Sequence, residues 1–213
     1  MDFLPAAIEA YALAHTSAES PLLAQLNRET HAKVLQSRML SGHLQGRLLA
    51  LFSTILRPRR ILEIGTYTGY SALCLAEGLT DEGLLITIDI NEELEAFTRS
   101  FFERSPLGHK IDFRIANAAT LIPTLDETFD LVFIDADKLN YGLYYDLVFD
   151  KVRPGGVIIA DNVLWSGKIV QTGRKIDKDT QALLDFNQKL HHDPRVSNVL
   201  LPVRDGLMIV WKH

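Results

Sequence analysis

The stretch Arg60 to Tyr70, Arg-Ile-Leu-Glu-Ile-Gly-Thr-Tyr-Thr-Gly-Tyr, constrains the fold more than any other part of the chain. Ile61 to Ile64 is a short apolar run that reads as a buried strand. It stops at Gly65, a second glycine follows at Gly69, and Ser71 to Leu79 has helical character. Strand, glycine turn and helix open a nucleotide-binding βαβ unit, in which glycines allow a sharp turn and close approach of a ligand to the main chain. A second apolar run, Leu84 to Ile88, ends in Asp89. That is about 20 residues on, where a ribose-binding carboxylate is expected in such a unit.

The pattern around this stretch predicts an α/β fold. Before it, Phe3, Leu4, Ala7, Ile8 and Tyr11 recur at helix spacing. Ser20 with Pro21 starts a second helix running to about Leu35. A third is expected from about Leu44 to Leu56, ended by Pro58. After it, strands are expected near 60–64, 84–88, 111–115, 129–134 and 157–160, alternating with helices near 70–79, 91–104, 117–124 and 141–151. In the 91–104 helix, Leu94, Phe97 and Phe101 are placed toward the core, with Glu92, Glu93, Glu95 and Arg99 toward water. Alternation of this kind implies a parallel sheet covered on both faces.

Beyond Asp161 the rhythm changes. A polar loop, Asn162 to Lys178, leads to a helix over Asp179 to His191. Two strands follow, about Val196 to Pro202 and Leu207 to Lys212, joined by the hairpin signal Arg204-Asp205-Gly206. A terminal hairpin on a parallel sheet predicts a Rossmann-like seven-stranded sheet with one antiparallel strand, as in class I methyltransferases, preceded by extra N-terminal helices. The expected organisation is one domain over 1–213, with a helical cap at 1–57 on an α/β core at 58–213.

Composition narrows the function classes. With 213 residues and 47% hydrophobic content the chain suffices for one large domain with a full core. No apolar run reaches the ~18 to 20 residues of a membrane span. Met1-Asp2-Phe3-Leu4-Pro5 has neither the basic start nor the cleavage site of a signal peptide. The single cysteine, Cys74, excludes an internal disulfide, so a cytoplasmic location is expected. A formal net charge of −5 argues against nucleic acid as a partner.

Open α/β sheets bind ligands beyond the C-terminal ends of their strands. The residues expected there are Glu63 and Gly65, then Asp89, Asn117-Ala118, Asp135-Ala136-Asp137-Lys138 and Asp161-Asn162. Asp135, Asp161 and Asn162 supply two carboxylates and an amide oxygen, a hard donor set suited to Mg²⁺, Mn²⁺ or Ca²⁺. The competing reading of such residues is solvated loop positions or helix caps, and for Asp89 it is the N-cap of the helix near Asn91. Glu63, inside a strand run, is expected to be partly buried and to need a partner. Lys138 is three residues after Asp135, so both can face one pocket, the lysine as a base or as an ordinary surface side chain. Cys74 reads as core packing, and His191-His192 as the dipole-compatible end of a helix. Trp165 reads either as the wall of an aromatic pocket or as loop packing.

These residues resemble the cation-dependent O-methyltransferases of the caffeoyl-CoA and catechol type. The resemblance is carried by Glu63-Ile64-Gly65-Thr66-Tyr67-Thr68-Gly69-Tyr70-Ser71, Ile88-Asp89, Phe133-Ile134-Asp135-Ala136-Asp137-Lys138 with Asn140-Tyr141, and Gly155-Gly156. It continues through Asp161-Asn162, Leu164-Trp165, Asp193-Pro194-Arg195, Leu201-Pro202 and Asp205-Gly206. It covers nearly the whole chain from about Met39. It implies S-adenosylmethionine as methyl donor, with Ser41, Glu63, Gly65, Thr66, Ser71, Asp89, Ala118 and Asp137 at cofactor-binding positions. Asp135, Asp161 and Asn162 fall on metal-ligand positions, and Lys138 on that of a general base, with Asp135 beside it in the catalytic set. A small aromatic acceptor with adjacent hydroxyls and a homodimer are also implied. Met39 to Gly46 departs from the family's pattern, with His43 and Gln45 where Ala and Glu are common.

Two other functions are compatible with such a sheet. An NAD-dependent oxidoreductase is disfavoured because Gly65-Thr-Tyr-Thr-Gly69 lacks the Gly-x-Gly-x-x-Gly turn that seats a pyrophosphate. A non-catalytic cofactor-binding module is disfavoured because Asp135, Lys138, Asp161 and Asn162 are all present.

Overall fold

The structure, a computed structural model, describes residues 5–173 and 175–213. Phe3 and Leu4 of the first expected helix lie outside the described residues. Three helices come first: α1 (Ala6–Ala14), α2 (Pro21–Lys33) and α3 (Gly42–Leu56). The alternating part follows as β1 (Arg60–Ile64), α4 (Tyr70–Ala76), β2 (Leu84–Asp89), α5 (Glu95–Arg104), β3 (Ile111–Ile115), α6 (Ala118–Leu121), β4 (Phe129–Ile134), α7 (Tyr141–Phe149) and β5 (Val152–Ala160). It closes with α8 (Lys178–His191), β6 (Val196–Leu201) and β7 (Leu207–Lys212).

Local chemistry explains the boundaries. The Ser20 hydroxyl accepts from the Leu23 amide with Pro21 in the first turn of α2. That helix stops at Lys33, short of Leu35, because Val34 is already extended. Helix α3 begins at Gly42, two residues earlier than expected, and ends on left-handed Arg57 just before Pro58. The expected 91–104 helix is a 3-10 turn over Glu92–Leu94 followed by α5, and the expected 117–124 helix is α6 followed by a 3-10 turn at Ile122–Thr124. Strand β5 starts at Val152, five residues before the expected start, with a register shift opposite Phe129 and Leu131.

The seven strands lie in the order β3-β2-β1-β4-β5-β7-β6. Neighbours pair in parallel from β3 to β5, and β7 alone runs against its neighbours, β5 and β6. The strand order reverses between β1 and β4, which makes their C-terminal ends the crevice where such sheets take ligands. Backbone bonds stitch those ends together: Gly65 donates to Ile88, Asp135 to Ile64 and Asp161 to Ile134.

Each face of the sheet has its own core. Leu62, Ile64, Val132 and Ile134 pack under Tyr141, Tyr145, Leu183 and Phe186 of α7 and α8. Ile61, Leu85, Leu131 and Phe133 pack under Leu26, Leu49, Leu75 and Phe101 of α2, α3, α4 and α5. The N-terminal helices α2 and α3 therefore share a core with the sheet. Helix α1 buries none of its residues: Ile8 is 54% and Tyr11 67% exposed.

Candidate active site

Gly65 and Gly69 are needed for different contacts. At Gly65 (φ +100°) an added Cβ would stand 1.8 Å from the Asp135 carbonyl oxygen, because the turn after β1 runs directly against the end of β4. At Gly69 (φ +86°) it would stand 2.6 Å from the Phe102 ring. Both lie in the left-handed region where glycine has no steric cost. The turn faces Met39, Leu40 and Ser41 across a narrow crevice that is also lined by Thr66, Ser71 and Asp135. Five residues expected to bind cofactor or metal, Ser41, Gly65, Thr66, Ser71 and Asp135, thus border one space. A wider surface depression of about 420 Å³, walled by Arg99, Phe102 and Phe113, holds none of the strand-end residues.

Glu63 is fully buried, further inside than expected. The period of two along β1 sends it to the Ile61 face, beneath α4. Its Oε2 accepts from the Thr87 hydroxyl at 2.5 Å, and Thr87 Oγ1 is 2.5 Å from Thr66 Oγ1; Oε1 is buried without a partner. Burial pushes the carboxyl up to about 8, against the opposing pull of the Ser71 and Thr87 hydroxyls. Asp89 does not cap the next helix; Asn91 does, by accepting from the Glu93 amide. Instead Asp89 accepts from the Tyr67 amide at 2.7 Å and the Asn91 amide at 2.9 Å, tying the end of β2 to the glycine turn. Ala118 is buried at the start of α6, where Asn117 caps the helix through the Ala119 amide. Asp137 stands outside the crevice lining, its carboxylate accepting from Tyr144 Oη at 2.6 Å and Asn140 Nδ2 at 2.5 Å.

At the ends of β4 and β5 the expected oxygen donors meet a lysine and an amide. Asp135 Oδ1 accepts from Lys138 Nζ at 3.1 Å. Lys138 Nζ also donates to Tyr141 Oη at 2.6 Å, and Tyr141 Oη donates to the Asp161 carbonyl at 3.1 Å. Asp161 is 3% exposed. Its carboxylate accepts from Gln45 Nε2 at 2.6 Å and from the Asn162 amide at 2.6 Å. Burial, with the Asp135 charge second, pushes it up to about 7. Asn162 is held left-handed at φ +59°. Trp165 is partly buried against the core, with Lys138 Nζ 6.0 Å and Lys168 Nζ 5.3 Å from its ring centre.

Among the described residues no three His, Cys, Asp or Glu side chains cluster as a metal site. The donor set here is two carboxylates and an amide oxygen. One carboxylate is made proton-seeking by burial and, second, by its neighbour's charge, and a hard divalent cation offsets both. The residues present therefore fit such an ion. Cys74 is inert packing: it is fully buried and its thiol is pushed up to about 12 by burial. In the sequence Gln45 stands out only as a departure from the family's pattern, and nothing there gives Thr87 or Tyr141 a contact at the site. Their contacts, Gln45 to Asp161, Thr87 to Glu63 and Tyr141 to Asp161, join separate parts of the chain.

Known proteins share this architecture. A family model described as O-methyltransferase matches residues 13–213. The caffeoyl-CoA O-methyltransferase of Petroselinum crispum is 35% identical over 196 residues, covering 85% of this chain and 80% of that protein. The catechol O-methyltransferase domain-containing protein 1 of Mus musculus is 33% identical over 210 residues, covering 95% and 78%. Among solved structures, the O-methyltransferase from Bacillus cereus in complex with SAH superposes with a TM-score of 0.89 at 30% identity, covering 97% of each chain. With its sheet order, glycine turn and strand-end residues, the chain belongs to the O-methyltransferase family, enzymes that take their methyl group from S-adenosylmethionine.

Proposed function

We propose that this enzyme methylates one hydroxyl of a small aromatic acceptor carrying two adjacent hydroxyls, with S-adenosylmethionine in the crevice and a divalent cation, Mg²⁺ ahead of Mn²⁺ or Ca²⁺, at Asp135, Asp161 and Asn162. The observation that carries this reading is the buried Asp161 carboxyl, held beside Asp135 at the edge of the glycine crevice. The names of the parsley and mouse relatives and the SAH in the Bacillus cereus structure support it. S-adenosylmethionine supplies a methyl on a sulfonium centre. Ser41, Gly65, Thr66 and Ser71 line its crevice, while Asp89, Ala118 and Asp137 serve it from the strand ends. Glu63 orders the floor through Thr87 and Thr66.

The cation supplies Lewis acidity that lowers the acceptor phenol from its usual value of about 10. Lys138 in its neutral amine form, held by Asp135 and Tyr141, or water takes the phenolic proton. Trp165 walls the acceptor. Alignment of donor and acceptor supplies ~7 to 11 kcal/mol in favourable cases. The working unit is one domain, helical cap 1–57 on core 58–213, supported by the core that α2 and α3 share with the sheet. A homodimer in the cytoplasm completes the reading, with the exposed Ile8, Tyr11, Leu51 and Ile55 of α1 and α3 as its apolar contact.

The test is transfer from labelled S-adenosylmethionine to a panel of catechols and caffeoyl compounds, with Mg²⁺ and with EDTA. Metal-dependent transfer, abolished in a folded Asp161→Ala variant, is expected. Full activity of that variant in excess chelator refutes the metal site.

A further inference from the structure

We propose that the turn Arg204-Asp205 is a brace that positions both walls of the site, Arg204 holding the Leu40–Ser41 segment and Asp205 holding the loop after Asn162. This rests on the reading of Ser41 as part of the cofactor wall. Arg204 Nη1 donates to the Leu40 carbonyl at 2.8 Å and to the Ser41 carbonyl, residues more than 160 positions away in the chain. Those two residues border the glycine crevice. From the neighbouring residue the brace reaches a second segment. Asp205 Oδ1 accepts from the Ser166 amide, the Asp205 carbonyl from the Leu164 amide at 2.9 Å, and the Gly206 carbonyl from the Val163 amide at 3.2 Å. At Gly206 (φ +88°) an added Cβ would stand 2.5 Å from Leu164 Cγ, so the turn and the loop are in direct contact.

Two features separate this from ordinary hairpin packing. Arg204 is held left-handed at φ +49°, a conformation that costs a side-chain-bearing residue stability and is retained where the surroundings over-determine it. The braced loop is itself strained, with Asn162, Trp165 and Ser166 all at positive φ. The turn thus holds Val163, Leu164 and Ser166, which follow the proposed metal ligand Asn162 and flank the proposed acceptor wall Trp165, and it also holds the cofactor wall. Arg204 and Asp205 are positioning residues; neither touches reacting atoms in this reading.

The left-handed backbone supplies the test, because Arg204→Gly relieves the strain while removing the side chain. S-adenosylhomocysteine binding to the full chain is measured by calorimetry, alongside melting temperature and amide hydrogen exchange. For Arg204→Gly the expected result is ~10-fold weaker binding, because the ligand must then order the Leu40–Ser41 wall itself. Melting temperature should be unchanged or higher, with faster exchange over residues 37–42. Arg204→Lys, which keeps a donor, should stay within about threefold of wild type. Asp205→Ala should speed exchange at Ser166 and not over residues 37–42. Undiminished affinity in Arg204→Gly overturns the brace, as does lost affinity accompanied by a matching loss of melting temperature. Wild-type protein that binds no S-adenosylhomocysteine overturns the cofactor reading instead.

Discussion

Glu63 makes the stability of this protein fall as pH rises, and Glu63→Gln should remove that contribution. The carboxyl titrates near 4.5 when unperturbed and about 8 in the fold, with burial as the main cause. Between those two values the folded chain keeps a proton that the unfolded chain has released. Folding is therefore disfavoured progressively as pH climbs from about 4.5 to 8, and the loss is complete above 8. At about 1.4 kcal/mol per pH unit, the ionised carboxylate costs ~4 to 5 kcal/mol relative to the neutral acid. The glutamine of the variant removes that cost but leaves an amide hydrogen without a full set of partners, a penalty of ~1 to 3 kcal/mol at every pH. The two stability curves should cross. The variant should be weaker than wild type at pH 5 and stronger by ~2 kcal/mol at pH 9. Urea unfolding at half-unit steps from pH 5 to 9 measures both. Parallel curves would mean that Glu63 is ionised throughout, and the assignment of a neutral acid beneath α4 would be wrong.

Other perturbations follow from single contacts. Gly65→Ala forces a Cβ into the Asp135 carbonyl, so it should destabilise the fold by more than ~3 kcal/mol in urea unfolding and abolish S-adenosylhomocysteine binding. Gln45→Leu strips a buried donor from Asp161 and should cost ~1 to 3 kcal/mol, with Mg²⁺ affinity measured by calorimetry lowered alongside it. Cys74 should resist a disulfide-exchange reagent at pH 8 in the native protein and react fully in denaturant; rapid native labelling would contradict its burial.

Much of this molecule was legible from local pattern. Short runs rich in apolar and β-branched residues identified the strands, and the hairpin signal at Arg204 to Gly206 foretold the reversed β7. The boundaries that slipped did so where backbone conformation outweighed composition. Val34 is extended despite its apolar side chain, and the Glu92–Leu94 turn winds as 3-10 before α5 can begin. Strand-end chemistry was legible too, because a parallel sheet delivers the residues after each strand to one edge whatever the loops do.

The sequence by itself determined the order and type of the elements, and which oxygens stand at the sheet's C-terminal edge, because periods of 2 and 3.6 are written in neighbouring side chains. Only the tertiary structure decided that Glu63 is wholly dry, that Gln45 donates to Asp161, that Lys138 is shared between Asp135 and Tyr141, and that Arg204 reaches Leu40 and Ser41. The longest of these join residues 116 to 164 positions apart. Such pairs depend on sheet order, strand register and the packing of α3 against the sheet, and no local pattern encodes a distance across the fold.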